Sequence, residues 1–176
     1  SIFGTKEELI EMAEMLGEFP LVALEINVSC PNADHESQTA MIVDCAKAVR
    51  AVCRHPVWIK VGADQDYMKI AKDLTGVVEA MEFNSIPWRV IFGNRKSPLR
   101  KLERRVGGGG GGVSGIPAQD FNWPAAHAVR WYTKMPVIFP SVMNKDHVDS
   151  LWNLGAEAIA FGAIHLRTPW RPTRIV

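Results

Sequence analysis

The segment EINVSCPN, Glu25 to Asn32, holds the residues best suited to chemistry. Leu21 to Val28 reads as a mostly apolar, buried strand, and Pro31-Asn32 turns the chain just past it. Cys30 therefore falls in a loop directly after a strand end. A thiol there acts as a proton acceptor or nucleophile if its surroundings lower its pKa. Otherwise it is a small buried side chain, the commoner fate of cysteine. Other strands also end in polar or small residues: Lys60 near the end of VWIKV, Asn84-Ser85 after Val77–Phe83, Ser141 after Val137–Phe139, and Gly162 after Ala156–Phe161. Each has a plainer reading. Lys60 is then a solvated strand-end lysine, Asn84-Ser85 before Ile86-Pro87 a turn, and Gly112 to Gly115 a continuation of a glycine-rich linker.

The elements that must position these residues alternate. Thr5 and Glu8 have capping-box spacing at the start of a helix over 5–17, with Leu9, Ile10, Met12, Ala13 and Leu16 forming an apolar stripe. Helices follow over Ser37–Cys53, Tyr67–Leu74, Asn122–Tyr132 (with Pro124 in its first turn) and Lys145–Leu154, the last ending at Gly155. Five short apolar strands, each preceded by a helix, predict βαβ crossovers and a parallel sheet. Ligands in such folds sit at the C-terminal ends of the strands, where the polar residues gather. Residues 86–120 break the alternation. They carry Arg89, Arg95, Lys96, Arg100, Lys101, Arg104 and Arg105, then six consecutive glycines, Gly107 to Gly112. They read as a long, partly disordered loop beside the active site.

Composition bounds the remaining choices. The 176 residues, 47 % apolar and 22 % charged, suit one domain over 1–176. Lys plus Arg is 20 against 19 for Asp plus Glu, without the basic excess of many nucleic-acid binders. No apolar run is long enough for a membrane-spanning helix, and charges at Lys6, Glu7, Glu8 and Glu11 interrupt any leader-like segment. Three cysteines, Cys30, Cys45 and Cys53, exclude a full disulfide framework and point to a reducing, cytoplasmic setting. The five histidines show no metal-ligand spacing, so no metal site is expected.

The order EINVSCPN, PVWIKVG, FNSI, GGVSG, PVIFPSV and GAEAIAFGA resembles that of dihydroorotate dehydrogenases, most closely the cysteine-type class and the pyrimidine-reducing domain of dihydropyrimidine dehydrogenase. The resemblance runs from about residue 20 to residue 166. It implies an α/β fold that is an incomplete TIM (β/α)8 barrel, with about five βα units corresponding to strands 4–8. It also implies FMN as cofactor and a dihydropyrimidine-type small molecule as substrate. By the same resemblance, Cys30 takes a proton from the substrate carbon next to the one giving hydride to FMN. Asn27, Asn32, Asn84 and Ser85 bind the pyrimidine ring or its carboxylate. Lys60 lies by the flavin N1–O2 edge. Gly115, Ser141, Val142, Gly162 and Ala163 lie near the FMN phosphate.

Two features depart from that pattern. The phosphate loop reads Pro140-Ser141-Val142-Met143 where the family has a glycine-rich turn. The chain is also shorter than the roughly 200 residues that a closed barrel needs. It is then part of a longer chain, or a homo-oligomer that pairs through its open edges. The alternative function follows from these departures: a catalytically inactive fragment that self-associates and binds no cofactor.

Overall fold

The computed structural model describes residues 1–29, 38–99 and 110–175. Helix α1 (Lys6–Leu16) starts where its cap requires. The Thr5 hydroxyl accepts from the Glu8 N–H, and the Glu8 carboxylate accepts from the Thr5 N–H at 2.8 Å. Strand β1 (Leu24–Asn27), helix α2 (Gln38–Val52), strand β2 (Val57–Val61), helix α3 (Tyr67–Leu74) and strand β3 (Ala80–Phe83) follow in alternation. Two short strands, β4 (Ile86–Pro87) and β5 (Gly112–Val113), pair antiparallel on either side of α4 (Trp88–Phe92). Then come α5 (Ile116–Thr133), β6 (Val137–Phe139), α6 (Lys145–Asn153), β7 (Ala158–Ile159) and α7 (Ala163–Arg167).

Five strands form one parallel sheet in the order β1-β2-β3-β6-β7, the order of the chain itself. A doubly wound sheet reverses its strand order and carries helices on both faces. Here every crossover advances the same way, so right-handed connections bring the helices to one face. Accordingly α1 packs on α2, α2 on α3, and α3 on α5. This mixed α/β arrangement is consistent with part of a TIM-type barrel.

The period of two divides the sheet. Ile26, Val57, Ile59, Val61, Met81, Val137 and Phe139 face the helices and are at most 1 % exposed. Burying this layer supplies the main stabilisation, about 2 kcal/mol for each large side chain. The opposite face carries Glu25, Asn27, Trp58, Lys60, Glu82 and Ile138.

Several boundaries differ from the sequence expectation. Strand β1 begins at Leu24 rather than Leu21, β3 at Ala80 rather than Val77, and β7 spans only Ala158–Ile159. Apolar composition extends beyond the ladder because flanking residues pack on the core without pairing. Helix α5 begins at Ile116, not Asn122, so its first-turn proline is Pro117 and Pro124 lies in the interior. Burial of Ala118, Asn122, Ala125, Ala126 and Val129 holds the helix through the N–H that Pro124 lacks. The expected loop over 86–120 contains β4, α4, β5 and the start of α5; its residues 100–109 lie outside the described residues, as do Cys30, Asn32 and Ser37. The expected end of α6 at Gly155 is a Schellman motif. Gly155, at φ 83°, donates to Trp152 O, and Ala156 donates to Leu151 O.

Candidate functional site

Parallel register builds the site on the face opposite the helices. Asn27 pairs with Lys60, and Lys60 with Glu82, so three polar side chains lie in one row across β1, β2 and β3. Glu25 stands two residues before Asn27, on the same side. The Lys60 ammonium is 3.0 Å from Glu25 Oε1 and 3.3 Å from Glu82 Oε2. All three side chains are largely withdrawn from water, at 20 %, 11 % and 12 % exposure.

Burial and proximity separate the two carboxyls. Glu82 is pushed up to about 8, by burial first and then by the Glu25 carboxylate. For Glu25 burial acts in the same upward direction, but hydrogen bonds from Glu82, Ser1 and Lys60 outweigh it and bring it down to about 2. Burial also lowers Lys60, yet the two carboxylates outweigh it and hold the ammonium above its usual range. The pair therefore keeps one proton near neutral pH, because two adjacent carboxylates facing one ammonium resist double ionisation.

Beyond this row the strand ends are cross-linked. Asn84 Nδ2 donates to Asn27 Oδ1 at 3.2 Å and to the Ser29 hydroxyl. Ser29 in turn donates from its hydroxyl to Asn27 Oδ1 at 2.9 Å. The Ser85 N–H bonds to Asn84 Oδ1, and Asn122 on α5 donates to the Asn84 carbonyl. Asn27 and Asn84, fifty-seven residues apart, are thus held as one amide cluster beside Lys60.

A cleft of about 190 Å³ opens at these strand ends. It is lined by Lys60, Glu82, Asn84, Ser85, Gly115, Ser141, Gly162 and Ala163, together with Ser114 and Phe161. The structure brings most of the expected site residues to one place. Cys30 and Asn32 lie outside the described residues, and Val142 is fully buried in the core, where apolar contacts beneath the loop hold it. Val142 does not line the cleft.

The 140–144 loop is fastened from behind. Trp123 Nε1 donates to Pro140 O at 2.9 Å, and Gln119 Nε2 donates to Ser141 O at 2.8 Å. The Met143 N–H bonds to His147 Nδ1 at 3.3 Å, and Asn144 caps α6 by accepting from the His147 N–H. Burial pulls the His147 imidazole below its usual pKa, in keeping with an Nδ1 that accepts. Ser141 adopts φ 69°, a left-handed backbone that glycine takes without cost. The position that lacks glycine in the sequence therefore still has a glycine-like conformation.

Sequence reasoning missed Glu25, Glu82, Gln119 and His147. The glutamates had a signal. Glu25-Ile26-Asn27 and Glu82-Phe83-Asn84 repeat a Glu-x-Asn pattern on two strands, which puts each pair on one face. Gln119 and His147 had none, since their roles depend on how α5 meets α6.

The residues present fit the two polar ends of a flavin mononucleotide. Lys60 offers a cation to a ring edge. Gly115 at φ 78° and Gly162, where an added Cβ would meet nothing within 4 Å, leave room at the end lined by Ser114 and Ser141. The cleft is below the roughly 300 Å³ of a whole ligand pocket, so the described residues form one wall of such a site. Among the described residues no His, Cys, Asp and Glu group is arranged to hold a metal ion, and no helix is long and apolar enough to cross a membrane.

No family model matches the chain. It is 26 % identical over 175 residues to the catalytic subunit of dihydroorotate dehydrogenase B (NAD(+)) from Listeria welshimeri, covering 95 % of this chain and 56 % of the relative. Dihydroorotate dehydrogenase A (fumarate) from Lactiplantibacillus plantarum is 27 % identical over 180 residues, covering 97 % of this chain and 57 % of the relative. The B-type catalytic subunit from Latilactobacillus sakei is 25 % identical over 183 residues. The chain is similar along nearly its whole length to dihydroorotate dehydrogenases, and it spans little more than half the length of the relatives it matches.

Proposed function

We propose that the chain is the C-terminal part of a flavin-dependent barrel that interconverts a saturated and an unsaturated pyrimidine, as its similarity to dihydroorotate dehydrogenases suggests. The observation that carries this reading is the gathering of Lys60, the Asn27–Asn84 amide cluster, Ser85 and the Gly115–Ser141–Gly162 wall at one end of a parallel sheet. FMN, when bound, supplies the hydride acceptor.

The chain's own residues divide the remaining work. Cys30 accepts the proton from the carbon adjacent to the hydride donor, so that a C–C single bond becomes a double bond as both hydrogens leave. Asn27, Asn32, Asn84 and Ser85 hydrogen-bond the ring's carbonyls, N–H groups and carboxylate, which fixes the two carbons relative to the base. Lys60 holds positive charge at the flavin N1–O2 edge. Gly115, Ser141, Gly162 and Ala163 border the phosphate.

Adding FMN to the purified chain tests this. Binding is expected to shift the flavin absorption bands and quench its fluorescence. In the longer protein, Cys30→Ala is expected to abolish turnover while leaving the flavin spectrum unchanged. Unaltered flavin spectra in both proteins would defeat the reading.

A second reading has one observation in its favour. Ser141 holds a left-handed turn and Val142 turns inward, so side chains occupy a loop where glycine permits close approach to a phosphate. In that reading the chain binds no cofactor, Cys30 is inert, and the open sheet self-associates. Thiol titration separates the two. Cys45 and Cys53 are 6 % and 5 % exposed and burial raises Cys45, so a fast-reacting thiol that Cys30→Ala removes supports catalysis.

A further inference from the structure

We propose that Glu82 is a charge-setting residue of the cleft: through its contact with Lys60 it decides whether the cleft accepts an anionic heterocycle. The class of ligand rests on the functional reading above. A flavin and a pyrimidine carboxylate share the relevant chemistry, an imide edge flanked by carbonyls on a molecule carrying negative charge.

The argument begins with the row of the sheet. Lys60 pairs in register with Glu82, and Glu82 with Ile138, which pairs with Ala158. On the far side of Glu82 the row is apolar, so the only cation the described structure places on Glu82 is Lys60. On the near side Lys60 also meets Glu25, which Ser1 contacts in turn. Both Glu82 and Lys60 line the cleft. A ligand reaching the ammonium therefore meets the Glu82 carboxyl at the same time.

The charge count gives the consequence. With both carboxyls ionised, two negative charges face one positive, and the cluster repels an anion. With one proton held by the pair, the cluster is neutral, and the ammonium, still paired with Glu25, faces a carbonyl or a developing negative charge without a net repulsion. The two forms exchange near neutrality because burial and the neighbouring Glu25 push Glu82 up to about 8. Lys60 stays charged across this range, since the same carboxylates raise it. Glu82 is a positioning residue here, acting through Lys60 rather than on a reacting atom.

Two probes, FMN followed by quenching of its fluorescence and orotate followed by calorimetry, are titrated into the wild-type chain between pH 6.5 and 9. Affinity for each is expected to fall above pH 8, approaching about tenfold per pH unit. Glu82→Gln keeps the hydrogen bond without the charge, so its affinity is expected to stay level across the range. Glu25→Gln, the second variant should the first fail to fold by circular dichroism, is expected to level the profile in the same way. A level wild-type profile, or an unchanged slope in the variants, overturns the proposal. If FMN fails to bind while orotate binds with the Glu82-dependent slope, the flavin reading falls and the role of Glu82 stands. FMN binding without that slope has the opposite meaning. If neither probe binds at any pH, both fall.

Discussion

Lys60, Glu25 and Glu82 lie deep enough in the sheet for water to screen little of their interaction, and their protonation is therefore coupled to folding. Glu82 has a folded pKa of about 8, above its ordinary 4.5. Its stabilising contribution is full below about pH 4.5 and is lost as pH rises through about 8. Glu25 runs the other way: lowered to about 2, it stabilises above pH 4.5, and that contribution is lost as pH falls towards 2. Thermal melts of wild type are thus expected to decline from pH 5 to pH 8 more steeply than those of Glu82→Gln. Parallel profiles would show that Glu82 ionises normally. Lys60→Met removes the one cation both carboxylates share. It is expected to cost about 3 kcal/mol at pH 8 and less at pH 5, by urea unfolding, because protonation relieves the orphaned carboxylates in acid.

At the scale of elements, the loop between β6 and α6 is where backbone conformation and residue type disagree. Ser141 sits at φ 69°, and Gln119 and Trp123 hold the carbonyls around it. Those bonds keep a β-carbon in a region that costs L-residues about 1 kcal/mol. Ser141→Gly is therefore expected to stabilise the chain by up to about 1 kcal/mol in urea unfolding and to tighten FMN binding several-fold. Unchanged FMN affinity with raised stability would mean that the loop does not border the phosphate. The loop's four residues were readable as a departure from a glycine-rich turn. Their clamp was not, because Gln119 lies in a stretch that local patterning left as loop, and only packing on the sheet makes it helical.

For the whole molecule, the two edges of the sheet differ. The outer edge of β1 is covered by Ile2, whose N–H donates to Glu25 O while its carbonyl accepts from Asn27. At the other edge Ala158, Ile159 and Ala160 are only half-buried. An exposed parallel edge with apolar side chains favours pairing with another strand. If the chain folds alone and self-associates, light scattering gives a mass above that of one chain and rising with concentration. A monomer at high concentration would remove that reading. Parallel alternation was legible because each helix and strand announced its own period. Closure of a sheet was not, since it depends on which strands meet at its edges.

What the amino-acid sequence determined by itself is local: the capped start of α1, the alternation of helix and strand, the Gly155 stop after α6, and polar residues at strand ends. These follow from hydrogen-bonding capacity and side-chain period within a few residues. Only the tertiary structure decided that Lys60 would be shared by Glu25 and Glu82, and that Asn27 would bond Asn84. Those partners are joined by strand register between distant segments, and register is fixed by the burial of an entire sheet face rather than by any neighbour in the chain.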